Sequence, residues 1–138
     1  GPQQESLVRL AAALKVEAEI GRVSDERLKT LYQTADVFVQ TSAVELEGMS
    51  VLEAMAAGCP VLINQSITSA VPEFVTAPEA TYAMNDEEDL RRKLDAMLAD
   101  HVLRAAEGRG NRKIAQSRHH DRSVNLLADI YHRVLSAH

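Results

Sequence analysis

Two carboxylates and a glycine-led helix start lie together near the middle of this chain. Glu45 lies in a predicted loop, and Glu53 follows eight positions later in the predicted first turn of a helix. Between them, residues 48–51 (Gly-Met-Ser-Val) place backbone amides at the helix N-terminus. Such a terminus attracts phosphate through its unpaired N–H groups and its dipole. Gly48 would let a ligand approach the backbone closely.

The two carboxylates indicate what else that ligand carries. Carboxylates repel phosphate and accept hydrogen bonds from hydroxyl groups, which ribose and sugar rings both offer. The residues therefore favour a nucleotide sugar over a bare phosphate. They leave structural alternatives open, because Glu53 also fits the acid of a capping box begun by Ser50. Likewise, Glu45 and Glu47 also fit ordinary exposed loop acids.

The elements that must position these residues follow from apolar spacing and capping signals. The sequence predicts helices over about 4–14, 25–34, 50–57, 85–98, 101–116 and 121–136, with Gly108 and Gly110 as candidate interruptions of the fifth. It predicts an edge-type strand over 16–20 and strands over 37–39, 61–63 and 81–84. This alternation predicts an α/β fold, a Rossmann-like parallel sheet of about three to four strands flanked by helices, with a helical C-terminal segment. Ligands bind such sheets outside the carboxyl ends of the strands, where Glu45 lies.

Composition narrows the function classes. The chain has 138 residues, a net charge of -5, 46% hydrophobic and 4% aromatic residues. We expect residues 1–4 to be a tag remnant or disordered start and residues 5–138 to form a single domain. The acidic balance and the few aromatic residues argue against nucleic-acid binding. The single cysteine, Cys59, cannot form an internal disulfide and fits an inert core position, so a cytoplasmic location is predicted.

One stretch of the chain is rich in basic residues, although the whole chain carries a net negative charge. Between Arg104 and Arg122 the chain carries six arginine or lysine residues and the pair His119-His120. The stretch fits a solvated helix face, and it also fits a surface that contacts phosphate or lies peripherally on a membrane.

A longer motif surrounds the two glutamates. A glutamate, seven residues and a second glutamate are followed by the run Ala-Met-Ala-Ala-Gly-Cys-Pro-Val over residues 54–61. Residues 35–63 closely resemble the C-terminal donor-binding domain of GT-B retaining glycosyltransferases of the group 1, or family 4, type. The resemblance extends over about residues 5–136.

The resemblance implies a role for each motif residue. Glu45 corresponds to the catalytic-site acid beside the donor sugar, and Glu53 to the acid that binds the ribose hydroxyls. Val23 corresponds to the position beside the nucleobase. The diphosphate would contact the backbone of Gly48, Met49, Ser50 and Val51. The donor would be a UDP-sugar or GDP-sugar, and the reaction would need no cofactor and no metal ion.

The sequence also departs from the family pattern. Leu46 and Glu47 stand where glycine and an aromatic residue are common, Ser50 replaces a frequent proline, and Ser69-Ala70 replaces a frequent Gly-Gly. These changes affect the sugar side of the predicted site.

The resemblance further implies that the chain starts after the first strands of the donor domain and lacks the acceptor-binding N-terminal domain. We therefore expect a fragment of a hexosyltransferase that is inactive as an isolated chain. The 16–20 and 37–39 strands would pair directly, or another chain, including a second copy, would fill the gap. The alternative function is a non-catalytic interaction module with a glycosyltransferase-like fold.

Overall fold

A computed structural model describes residues 2–75, 77–118 and 120–136, and in this part of the chain three strands form one parallel sheet. The strands are β1 (Phe38–Gln40), β2 (Val61–Gln65) and β3 (Thr81–Ala83), in that order across the sheet. Phe38 pairs with Val61, and Ile63 pairs with Thr81. The predicted α/β architecture is confirmed.

The helices follow the predicted spacing closely. They are α1 (Gln4–Leu14), α2 (Asp25–Thr34), α3 (Met49–Ala57), α4 (Glu87–Ala99), α5 (His101–Ser117) and α6 (His120–Ser136). Short 3₁₀ turns span Val71–Phe74 and Pro78–Ala80. Helix α1 begins inside the segment 1–4 that was predicted to be a tag remnant or disordered start. The chain divides after Thr30 into two compact units, where the sequence predicts a single domain.

The predicted strand over 16–20 is wrong. In the first unit, Lys15 ends α1 in a left-handed conformation (φ 56°), and residues 16–20 form no strand. A strand needs a neighbour to accept and donate its backbone hydrogen bonds, and the described residues supply none. Side chains hold the segment instead, since Gln4 Nε2 donates to the Ile20 carbonyl and Arg27 pairs with Glu19. The direct pairing considered for this segment does not form, and β1 is an edge of the described sheet.

In the second unit, the two faces of β2 separate two apolar clusters. Ile63 packs with Met55 of α3 and with Phe74, whereas Leu62 packs with Met97 of α4. Successive side chains of a strand point to opposite faces, so β2 contributes to both clusters. The sheet and α3 are thereby fixed relative to each other, and α3 carries Glu53.

Helix α5 closes tightly on the C-terminal end of α3. A Cβ atom placed on Gly108 would lie 2.2 Å from the Gly58 carbonyl oxygen. Asn111 Nδ2 donates to the Cys59 carbonyl at 3.0 Å, and Arg112 donates to the Ala57 carbonyl at 2.8 Å. The prediction that Gly108 and Gly110 interrupt the helix is therefore wrong, because α5 is continuous and Gly108 lies directly against the carbonyl of Gly58, the residue that follows α3.

Helix α4 begins at Glu87, two residues after the predicted start at about residue 85. Asp86, and not Asn85, is the N-cap residue, and its carboxylate accepts the Asp89 N–H at 2.9 Å. Asn85 takes a left-handed conformation (φ 61°), which asparagine tolerates better than most residues.

Asp89 provides a pH-dependent link between α4 and β3. Its carboxylate accepts the Ala83 N–H at 2.9 Å, and this backbone hydrogen bond, followed by Arg92 and Lys93, lowers the pKa of Asp89. A lowered carboxyl pKa stabilises the fold above the ordinary carboxyl range, and this contribution is lost as the pH falls through the lowered pKa.

We expect Asp89→Asn to melt below the unsubstituted chain at pH 7, with the difference shrinking towards pH 3. Thermal melts across this range measure it. Asp95→Asn, which removes an exposed partner of Arg91 on the same helix, is the control and should change the melting temperature little. An Asp89→Asn difference that stays constant with pH would contradict the assignment.

Candidate functional site

Two loops at the carboxyl edge of the sheet are bonded together. The loop after β1 (residues 41–48) carries Glu45, and the loop after β2 (residues 66–70) lies against it. Thr68 Oγ1 donates to the Ala43 carbonyl at 2.8 Å, and the Ala70 N–H donates to the Glu45 carbonyl at 3.0 Å. Ser66 Oγ also donates to the Ala43 carbonyl. The backbone of Glu45 is therefore fixed by the neighbouring loop.

The Glu45 carboxylate is held at both oxygens. Oε1 accepts the Gly48 N–H at 3.2 Å, and Oε2 accepts the Gln40 Nε2–H at 3.4 Å. Glu45 is half-buried, so the alternative of an ordinary exposed loop acid is wrong for it. Glu47 is exposed, as that alternative predicts.

Helix α3 begins one residue earlier than predicted and without a side-chain cap. Its N-cap residue is Gly48, and the Val51 and Leu52 N–H groups both donate to the Gly48 carbonyl at 3.0 Å. Ser50 lies within the first turn, so the capping-box alternative for Ser50 and Glu53 is wrong. Of the amides predicted to contact phosphate, only those of Met49 and Ser50 have no hydrogen-bond partner among the described residues.

Gly48 itself is required for packing. It is buried, and its φ of 63° is left-handed. An added Cβ would lie 2.6 Å from Val71 Cγ2 and 2.7 Å from Phe74 Cε2. The glycine lets the helix start pack against the 3₁₀ turn, whereas the sequence predicted that it lets a ligand approach.

Glu53 lies on the exposed side of α3. Tyr32 donates its hydroxyl to Glu53 Oε2 at 3.3 Å and packs edge-on against Phe38, with ring centroids 5.8 Å apart. Burial, and then the negative charge of Glu53, raise the pKa of Tyr32, so the phenol remains a donor. Glu53 Oε1 has no hydrogen-bond partner in the described part of the chain.

The other predicted residues are placed as follows. Val51 is fully buried in the core, so only its backbone faces the helix start. Val23 is half-buried in the first unit, and its role beside a nucleobase stays a prediction. Cys59 is buried, as predicted, and burial raises the pKa of its thiol.

Three residues of the basic stretch bond to the fold. Arg104 donates to the Met97 carbonyl at 2.8 Å, and Arg112 donates to the Ala57 carbonyl, as described above. Arg118 donates to the Glu73 carbonyl at 3.1 Å and lies over the Phe74 ring, 4.6 Å from its centroid. Arg112 and Arg118 are nevertheless exposed, as a solvated helix face predicts, whereas Arg104 is half-buried. The pair His119-His120 lies outside the residues whose side chains the structure describes.

Across the described ranges, no three histidine, cysteine, aspartate or glutamate side chains are grouped so that they could hold a metal ion. A separate search of the same ranges finds no helix with the length and apolar character needed to cross a membrane. Metal independence and cytoplasmic location stay predictions.

Sequence reasoning missed two residues that contact the glutamates. Gln40 is the one polar residue of β1 and lies at its carboxyl end, which was a usable signal. Tyr32 lies within the predicted helix over 25–34, but nothing in the sequence indicated that its hydroxyl bonds to Glu53.

The fold matches the C-terminal domain of a GT-B glycosyltransferase. The chain superimposes on the catalytic domain of cholesterol-α-glucosyltransferase from Helicobacter pylori with a TM-score of 0.81, at 28% identity, over 86% of this chain and 75% of that one. Residues 1–114 match the family model described as glycosyl transferases group 1. The chain belongs to the group 1 glycosyltransferase family.

Curated relatives agree with this assignment. The chain is 31% identical to the sulfoquinovosyl transferase SQD2 of Arabidopsis thaliana, over 82% of this chain and 22% of that protein. It is also 31% identical to the D-inositol 3-phosphate glycosyltransferase of Salinispora arenicola, over 96% of this chain and 30% of that protein. The chain thus spans less than a third of the length of these two relatives.

Proposed function

We propose that this chain binds the nucleotide-sugar donor, a UDP-sugar or GDP-sugar, of a retaining glycosyltransferase. The observation that carries the proposal is the start of α3, where two unpartnered amides lie between an oriented carboxylate and an exposed one. Glu45 faces the sugar hydroxyls, the Met49 and Ser50 amides face the diphosphate, and Glu53 Oε1 accepts from the ribose. The H. pylori neighbour, a glucosyltransferase by name, supports a sugar donor.

Charge near the helix start supports the placement of the diphosphate. An open groove beside α3 is lined by Met49, by two arginines, Arg118 and Arg122, and by two glutamates, Glu47 and Glu73. The side-chain charges of the groove balance, so the helix dipole is what favours a departing diphosphate over the neutral sugar. Stabilising the leaving group in this way is the contribution that these residues make to transfer. The acceptor and the transfer step belong to the whole protein, and the isolated chain is proposed to bind donor without turning it over.

The test is a titration of the chain with UDP, GDP, UDP-glucose and GDP-mannose, followed by amide chemical shifts. We expect shifts at residues 48–53 with one base only. Glu53→Gln should weaken binding of the nucleoside diphosphate by about tenfold, because a hydrogen bond to a charged acceptor is replaced by one to a neutral acceptor.

Glu47→Gln is the matched control, since Glu47 is an exposed acid of the same region and should leave the affinity within about twofold. Absence of shifts at millimolar ligand, from a chain that is folded by the same spectra, would overturn the proposal.

One observation favours a second candidate, the non-catalytic interaction module. Helix α6 exposes an apolar row that includes Leu127, Tyr131 and Leu135, with 51%, 61% and 75% of their surfaces exposed. An interaction module would show no shifts at residues 48–53 with any nucleotide. It would instead self-associate through such a surface, which sedimentation of the free chain measures.

A further inference from the structure

Gln40 is a polar side chain buried where β1 ends. Only 8% of it is exposed, although a primary amide is costly to bury unless it is hydrogen-bonded. Both ends of its amide are directed at the loop that follows: Nε2 donates to Glu45 Oε2 at 3.4 Å, and Oε1 accepts the Ser42 N–H at 3.5 Å. The side chain thus bonds the loop that carries Glu45.

These contacts orient the Glu45 carboxylate and leave it able to accept further hydrogen bonds. Each carboxylate oxygen has one protein donor, Gly48 N–H on Oε1 and Gln40 on Oε2. A carboxylate offers about four lone-pair positions, so about two remain for ligand hydroxyls. A carboxylate held by one donor alone could rotate, whereas two donors fix its plane.

The backbone of Gln40 is itself held in place by its neighbours in the sheet. The Tyr82 hydroxyl, on a side chain that is 4% exposed, donates to the Gln40 carbonyl at 3.1 Å. Gln40 also lies in register with Ile63 of β2. Because the backbone of Gln40 is held by pairing with β2 and by the Tyr82 side chain of β3, its amide is a fixed reference for Glu45.

We propose that Gln40 is a positioning residue that fixes the Glu45 carboxylate for the sugar part of the donor. This inference rests on the function proposed above and deepens it. Gln40 contributes to the additional affinity with which the chain binds the nucleotide sugar compared with the nucleoside diphosphate. Gln40 does not contribute to the affinity for the nucleotide part, because the nucleotide contacts other groups. Preorganised groups lose less free energy on binding than groups that must be ordered by the ligand.

Gln40→Met tests the inference, because methionine keeps the length of the side chain and removes the donor. Gln65→Met is the matched control: Gln65 ends the next strand, and its amide donates to Thr81 Oγ1 at 2.8 Å, not to Glu45. For each variant, the affinity ratio between the nucleotide sugar and its nucleoside diphosphate is measured. We expect Gln40→Met to lower this ratio by about fivefold and to leave the diphosphate affinity unchanged, and Gln65→Met to change neither.

A second readout needs no ligand. If Gln40 restrains Glu45, the Gly48 amide, which donates to the same carboxylate, should exchange its hydrogen several-fold faster in Gln40→Met and at the usual rate in Gln65→Met. If the methionine variant does not fold, Gln40→Asn, which keeps the amide but is too short to reach Glu45, should give the same result.

The outcomes separate the two proposals. Unchanged affinity ratio in a donor-binding chain, or unchanged Gly48 exchange, overturns the role of Gln40. If the chain binds no nucleotide but the Gly48 amide exchanges faster in Gln40→Met, the donor-binding function is overturned. Gln40 then only restrains Glu45. An equal loss of diphosphate and nucleotide-sugar affinity overturns the sugar-specific role.

Discussion

Replacing Gly108 by alanine is expected to destabilise the protein by about 3 kcal/mol, as overpacking at a rigid contact does. The added Cβ would lie 2.2 Å from the Gly58 carbonyl oxygen, which belongs to the backbone and cannot swing aside. Helix α5 would have to move away from α3, and the buried hydrogen bond from Asn111 to the Cys59 carbonyl would lengthen or break. Urea unfolding of the two chains measures the difference.

Gly110 provides the matched control two residues along the same helix. A Cβ there would meet no atom within 4 Å. Gly110→Ala should therefore stabilise the protein by roughly 0.5–1 kcal/mol, since alanine loses less backbone entropy in a helix interior than glycine does. Equal effects of the two substitutions would contradict the close contact between α5 and α3.

Replacing Gly48 by alanine is expected to damage both stability and donor binding. The left-handed φ of 63° and the 2.6 Å approach to Val71 Cγ2 together predict a loss of about 3 kcal/mol in unfolding free energy. The same shift would move the Gly48 N–H away from Glu45 and tilt the first turn of α3. We expect nucleotide-sugar affinity to fall by at least about tenfold in the chain that remains folded. Calorimetric titration at low temperature measures this.

Gly58 is the control for backbone strain alone. It also has a left-handed φ, of 82°, but its added Cβ would meet the flexible end of Arg112. Gly58→Ala should cost about 1 kcal/mol from the backbone conformation and leave donor affinity within about twofold. A loss of donor affinity in Gly58→Ala as large as that in Gly48→Ala would contradict a specific role of the helix start.

The sequence by itself determined the order of the elements. Buried parallel strands contain continuous apolar runs, such as residues 61–63 of β2, and the helices carry apolar positions at helical spacing, so both patterns are local. The family assignment is also local, because the spacing of Glu45 and Glu53 and the run that follows lie within residues 35–63. These features need no knowledge of which elements touch.

The tertiary structure alone decided which segments pair and which site groups are free. Residues 16–20 have a moderate strand pattern and form no strand, because a strand exists only where a neighbour completes its hydrogen bonds. The sequence predicts four free backbone amides at the helix start, but two of them form hydrogen bonds within the fold. The Gly48 N–H donates to the Glu45 carboxylate, and the Val51 N–H donates to the Gly48 carbonyl. Gln40 bonds to Glu45, five positions along the chain, in a loop that the loop after β2 holds in place. Tyr32 reaches Glu53, 21 positions along the chain, because Tyr32 and Phe38 pack against the cluster that contains α3. Both contacts depend on tertiary packing that no local pattern encodes.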